Sequence, residues 1–109
     1  MIKIDGTSIT MTRGDTLKLK LNLATSSGAP YTPNDGDKIT FGLKKSCKDD
    51  KCLIIKDIPT DTMILHIEPK DTKSLSFGVY VWDCQIEFSN GDVSTFIPKA
   101  SLKIAEEVV

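Results

Sequence analysis

A chain of 109 residues with a net charge of −1 has room for one domain, and so small a charge does not imply a nucleic-acid or membrane partner. Hydrophobic residues at 39% and charged residues at 27% exclude a disordered tract. A domain of this size buries about 65% of its unfolded surface, enough for a core without disulfides or metal.

No apolar run approaches the roughly 20 residues of a membrane helix. The opening Met1-Ile2-Lys3-Ile4-Asp5 lacks the apolar stretch of a secretory signal. The expectation is a chain made in a cytoplasm and leaving it only within a particle. Charge is split mildly: residues 1–54 hold nine Lys/Arg against six Asp/Glu, and the remainder five against nine.

In chain order, Ser8–Thr12 is a short strand candidate. Thr16–Leu23 then alternates, with four leucines on one face and lysines and Asn22 on the other. That is a strand with one buried and one wet face, because the same alternation would scatter leucines around a helix. Ala24–Asp37 is rich in Ser, Gly, Pro and Asp and reads as a long crossing loop, a type often functional. Ile39–Lys44 resumes the alternation. Ser46–Lys51 is a turn, Cys52–Lys56 a short strand, Ile58–Asp61 a turn, and Met63–Glu68 another strand.

The longest alternation runs from Gly78 to Phe88, with Tyr80, Trp82, Cys84, Ile86 and Phe88 on one face. Asn90-Gly91 is a hairpin signal, since both residues tolerate positive φ. Val93–Ile97 and Ser101–Ile104 close the series. No segment shows a period of 3.6. The reading is an all-β, immunoglobulin-like antiparallel β-sandwich of about 7–9 short strands, one domain over residues 1–109. Tyr80, two residues before Trp82, stands where a tyrosine corner would bond upstream backbone.

Catalytic and metal chemistry find no motif. Cys47, Cys52 and Cys84 are an odd count without a CxxC pair, and the chain has one histidine, so neither a disulfide framework nor a zinc site is expected. Cys84 falls on the apolar face, whereas Cys47 and Cys52 flank a turn and could pair if oxidised. His66 points away from Met63, Leu65 and Ile67 and reads as a surface residue; no GxSxG nucleophile motif accompanies it. Asp49-Asp50 and Glu106-Glu107 suit solubility and not acid–base work. Catalytic residues, metal and cofactors are therefore expected to be absent.

Arg13-Gly14-Asp15 spells an adhesion tripeptide but falls at a bend between strands. Lys44, Lys45, Lys48 and Lys51 cluster at one hairpin, partly offset by Asp49 and Asp50 and without an aromatic for base stacking. Asp35-Gly36-Asp37 has half the look of a calcium loop without its closing Glu, and turn chemistry explains it better. Tyr31, between Pro30 and Pro33, is either an exposed contact or a staple tying the loop to the core. Tyr31, Asp35 and Asp37 are the candidate binding residues.

Several stretches taken together carry a resemblance. They are Met11–Thr16, Gly36–Lys45, Pro69–Leu75, Gly78–Asp83 and Asn90–Thr95. In order and spacing this series resembles the N-terminal domain of baseplate upper proteins of tailed phages of Gram-positive bacteria, and the short phage and prophage proteins built on it. The resemblance spans residues 8 to 108 and rests on turn-and-strand signatures, not chemical motifs. It implies a non-enzymatic β-sandwich in a virion tail or baseplate, with other tail proteins or further copies of itself as partners. The chain departs from the longer proteins by stopping at Val109 without a long helix or receptor-facing module. The rival expectation is a ligand- or carbohydrate-binding adhesin-type module using loop 24–37.

Overall fold

A computed structural model describes residues 2–5, 7–24, 27–46 and 48–106, the first four as backbone only. Among these residues it contains eight strands and one helical turn: β1 (Ile2–Asp5), β2 (Ser8–Thr12), β3 (Leu17–Lys20), β4 (Lys38–Lys44), β5 (Ile54–Ile58), β6 (Ile64–Ile67), α1 (Pro69–Thr72), β7 (Gly78–Glu87) and β8 (Val93–Ala105). Six strands form one curled sheet in the order β1-β2-β8-β7-β4-β5, and β3 pairs with β6 as a separate two-stranded sheet.

The all-β expectation holds, with three corrections. The pairing is not purely antiparallel: β2 runs parallel to β8, with Ile9 opposite Leu102 and Met11 opposite Ile104. Those partners are far apart in sequence, so no local pattern announces their sense. The strands are also uneven in length, and the two candidates expected at the C-terminal end are one strand of 13 residues, β8. Its register against β7 shifts around Cys84, so an irregularity lies where a break was expected. The hydrogen-bonded grouping is six plus two, not the four plus three of an immunoglobulin constant domain.

One apolar cluster fills the space between the sheets. Ile9, Met11, Leu17, Ile39, Phe41, Leu43, Leu65, Ile67, Trp82, Cys84, Leu102 and Ile104 all belong to it. Each comes from the inward face of an alternating strand, which is how period-two patterning becomes a core. Phe41 and Trp82 meet at a centroid distance of 5.6 Å with planes tilted by 38°, an arrangement that suits the quadrupoles of both rings. The Trp82 indole N–H donates to the carbonyl of Ser101 at 3.2 Å.

Tyr80 supplies the expected corner. Its hydroxyl donates to the carbonyl of Ser76 at 2.7 Å, anchoring the segment that enters β7. Upstream, the Asp71 carboxylate caps α1 by accepting from the Glu68 N–H at 2.7 Å. It also pairs with Lys56 of β5 at 2.8 Å. Partial burial works against the Asp71 charge, but the hydrogen bond from Lys56, the Glu68 N–H and the charges of Lys56 and Lys70 outweigh it. The carboxyl is therefore held below its ordinary range.

The hairpin between β7 and β8 differs from the expected turn. Only Gly91 takes positive φ, at 94°, and its N–H donates back to Phe88 at 2.9 Å. That is a type I turn closed by a left-handed glycine, not the two-residue turn in which both central residues have positive φ.

Replacing Tyr80 by Phe removes one buried hydrogen bond and no ring packing, so it is expected to lower stability by about 1 kcal/mol. Urea unfolding checks this: a lower midpoint at an unchanged m-value is expected, whereas an unchanged midpoint contradicts the corner's role.

Candidate functional site

Of the three candidate binding residues, the fold brings Tyr31 and Asp37 together and leaves Asp35 outside. One Asp37 carboxylate oxygen accepts from the Tyr31 hydroxyl at 2.9 Å and from the Asn34 N–H at 2.9 Å. The other accepts from the Ser89 N–H at 3.3 Å. The Tyr31 ring stacks on Phe88, with centroids 6.0 Å apart and planes 13° from parallel. Gly36 sits at φ 91°, and a Cβ there would stand 3.0 Å from the Ser89 Cβ. Glycine thus serves both the left-handed turn and the close approach to the β7–β8 hairpin.

This geometry makes Tyr31 the staple of the two expected alternatives. The Asn34 N–H, opposed by partial burial and aided by Tyr31 and Ser89, holds the Asp37 carboxyl below its ordinary range. The hydrogen bond to Asp37 pushes the Tyr31 phenol up. Asp35 is exposed and takes no part in the staple.

A groove of about 470 Å³ lies beside the staple, between the crossing loop and the 59–63 turn, and Asn22, Tyr31, Thr32, Asp61 and Met63 are among its lining residues. Met63 has φ 57°, a left-handed conformation that costs a side-chain-bearing residue about 1–2 kcal/mol. Both its backbone groups are used: its N–H donates to Pro59 and its carbonyl accepts from Leu21, each at 2.8 Å. The strain thus closes the turn onto the end of β3.

The other singled-out groups are tied into the structure. Arg13 donates to the Leu75 carbonyl at 3.3 Å and lies 4.3 Å over the Phe77 ring. The Gly14 N–H donates to the buried Thr72 hydroxyl at 2.8 Å. The adhesion tripeptide therefore latches β2 to the segment after α1. Lys44 donates to the Asp49 carbonyl at 2.8 Å, and Lys45 lies 4.5 Å over the Tyr80 ring. His66 is exposed and stands opposite Lys18 in the β3–β6 register.

Cys84 is fully buried; that burial, with a smaller push from the Asp83 charge, raises its thiol to about 12. Cys52 is partly exposed. Cys47, and with it the possible Cys47–Cys52 pair, lies outside the described residues. Among the described residues no three His, Cys, Asp or Glu side chains are grouped to hold a metal ion, and no helix is long and apolar enough to cross a membrane.

The outward face of the six-stranded sheet carries a feature that no chemical motif announces. Gly42 lies opposite Ile55 on one side and Asp83 on the other. It leaves a recess of about 120 Å³ bordered by Lys44, Cys52, Val81, Asp83 and Lys99. A Cβ at Gly42 would stand 3.3 Å from the Cys52 Sγ. Ile55, opposite Gly42, is 65% exposed, and elsewhere Leu53, Val79 and Val93 are 49%, 55% and 58% exposed. The signal was present in the run Leu53-Ile54-Ile55, where an alternating strand would place polar residues on both sides of Ile54.

Comparison with family models, curated proteins and solved structures finds no match to this chain.

Two outcomes are expected. Asp37 has a lowered carboxyl in the folded state, so its stabilising effect is present above the unfolded carboxylate range and is lost as pH falls through the lowered value. The Tyr31–Phe88 stack, followed by ring-proton NMR shifts, should hold at neutral pH and loosen on acidification. Asp37→Asn should loosen it already at neutral pH, and an unaltered stack in that variant contradicts the staple. Separately, a Cys47→Ser/Cys52→Ser variant should resist maleimide until unfolded; rapid native labelling of Cys84 contradicts its burial.

Proposed function

We propose that this domain is a non-catalytic structural part of a phage or prophage tail or baseplate, acting by self-association or by docking to other virion proteins. The observation that carries the reading is the pair of exposed apolar side chains at the β5 edge of the six-stranded sheet, Leu53 and Ile55, the latter opposite Gly42 of the recess. Single exposed apolar residues are ordinary on a soluble protein, but a group of them beside an unpaired sheet edge is a place for another protein to sit. The latched loops support the same reading. Arg13 and Tyr31 are committed to internal contacts, which gives a rigid block with a fixed outer surface, as an assembly part requires. The order and spacing of the turn-and-strand signatures, with their resemblance to baseplate upper protein N-terminal domains, supply the tail context.

A second reading, a carbohydrate- or ligand-binding module, is favoured by the groove of about 470 Å³ beside Tyr31. It is the weaker of the two, because one Tyr31 face is already stacked on Phe88. A glycan array separates the readings: saturable binding lost in a Thr32→Ala/Asp61→Ala variant favours the module.

The assembly reading is tested by immunogold electron microscopy of tail particles released on prophage induction from the bacterium that encodes the chain. Label on the tail or its tip is the expected result. Unlabelled particles, with the chain wholly in the soluble fraction, contradict it.

A further inference from the structure

We infer that the free edge of β5 is a self-pairing surface, taking the β5 edge of a second copy antiparallel to itself about a two-fold axis at Ile54. The inference rests on the self-association form of the assembly reading. β5 ends the hydrogen-bonded order of the six-stranded sheet, so among the described residues no strand is hydrogen-bonded to its outer side; β6, which follows through the 59–63 turn, lies close to it without pairing. Such an edge offers unpaired N–H and C=O groups, and monomeric proteins commonly blunt it with a lysine aimed outward. The lysine in β5 does not do this. Lys56 is drawn across to α1, with its ammonium 2.8 Å from the Asp71 carboxylate and its side chain only 24% exposed. Ile55, on the opposite face, is left 65% exposed, and Leu53 beside it is 49% exposed.

Charge and side-chain pattern select both the partner and the register. In an antiparallel pair directly opposed residues share a face, so a two-fold axis normal to the sheet must pass through a residue and not between two. Centred on Ile55, the pairing sets Leu53 against Asp57. Centred on Lys56, it sets two lysines against each other and Ile55 against Asp57. Centred on Ile54, it sets Ile55 against Leu53 twice, Asp57 against Lys51 twice, and Ile54 against itself. Of these, only the last register opposes apolar with apolar and acid with base. Lys51 and Asp57 are both exposed, Asp57 bordering a groove that Ile64 and His66 of β6 also line. The segment before β5 already lies along β4, since the Leu53 N–H donates to the Leu43 carbonyl at 2.7 Å, so it can extend the paired edge.

Such a contact is isologous: each copy offers the same strip and receives the same strip, and the two sheets become one. The strip is short and buries less than a standard interface of about 800 Å² per partner. The dimer is therefore weak in solution and favoured where copies are concentrated by a larger assembly.

Sedimentation equilibrium on the full chain, from micromolar to millimolar concentration, tests this. A reversible dimer is expected. Ile55→Lys and Asp57→Lys should each weaken it about tenfold, as the loss of two cross-strand pairs requires, with the melting midpoint showing that both variants stay folded. The reversed pair, Lys51→Asp with Asp57→Lys, should restore the dimer. Cysteine-free Leu53→Cys and Ile55→Cys variants, mixed, should cross-link to each other more readily than either does to itself.

A chain monomeric at millimolar concentration overturns the inference, whether the edge is then free or covered by a different protein. A dimer indifferent to both single charge changes also overturns it. Gold-labelled tails with a strictly monomeric chain would remove this surface and leave the assembly reading standing. A dimer sensitive to charge reversal, with unlabelled particles, would do the reverse.

Discussion

The burial of Trp82 is the constraint on which the rest of the structure depends. Its side chain is 3% exposed, and an indole taken that far from water must both pack its ring and pair its N–H. The ring packs on Phe41 of β4, and the N–H is paired by Ser101 of β8. One side chain thereby ties together three adjacent strands of the six-stranded sheet, β8, β7 and β4. Tyr80 fixes the entry to the same strand through Ser76, and the segment holding Ser76 is itself latched to β2 by Arg13 and Gly14. Loss of the Trp82 ring would open a cavity in the apolar core, at a cost of about 3–5 kcal/mol.

Much of this frame was legible in the chain because β-strands advertise themselves every second residue. Tyr80, Trp82, Cys84 and Ile86 alternate without interruption, and all four are buried. What failed to show was pairing at a distance. The parallel contact of β2 with β8 joins residues at opposite ends of the chain. The staple through Asp37 depends on Ser89, 52 positions away. No spacing rule links such partners. The run from Thr16 to Leu23 also became a shorter strand than its pattern promised. Past Lys20 the backbone turns to its own loop, with Tyr31 donating to the Leu23 carbonyl at 3.0 Å and Ala24 bridging Pro30. The turn α1 is four residues long, shorter than any period of 3.6 could reveal.

The candidate site moved for a related reason. Sequence draws attention to residues with reactive or ligating groups, and in this chain those groups are spent on holding loops in place. Arg13, Tyr31 and Asp37 each satisfy backbone or hydroxyl partners, and Cys84 is sealed inside the core. The surface left for other molecules is built from residues with no chemistry of their own: a glycine in mid-strand, two aliphatic side chains on an edge, and a lysine turned away from that edge by Asp71. On the proposed reading, this rigid frame with its self-pairing strip is a part for building, the role that the resemblance of the turn-and-strand signatures implies.

Amide hydrogen–deuterium exchange measured at low and high protein concentration examines this most directly. If β5 pairs with its counterpart, amides of Leu53–Ile58 that face the free edge should become slower to exchange as concentration rises, while those of β7 and β8 stay unchanged. Exchange along β5 that is indifferent to concentration, or new protection confined to another strand, would contradict the assignment of the β5 edge as the assembly surface.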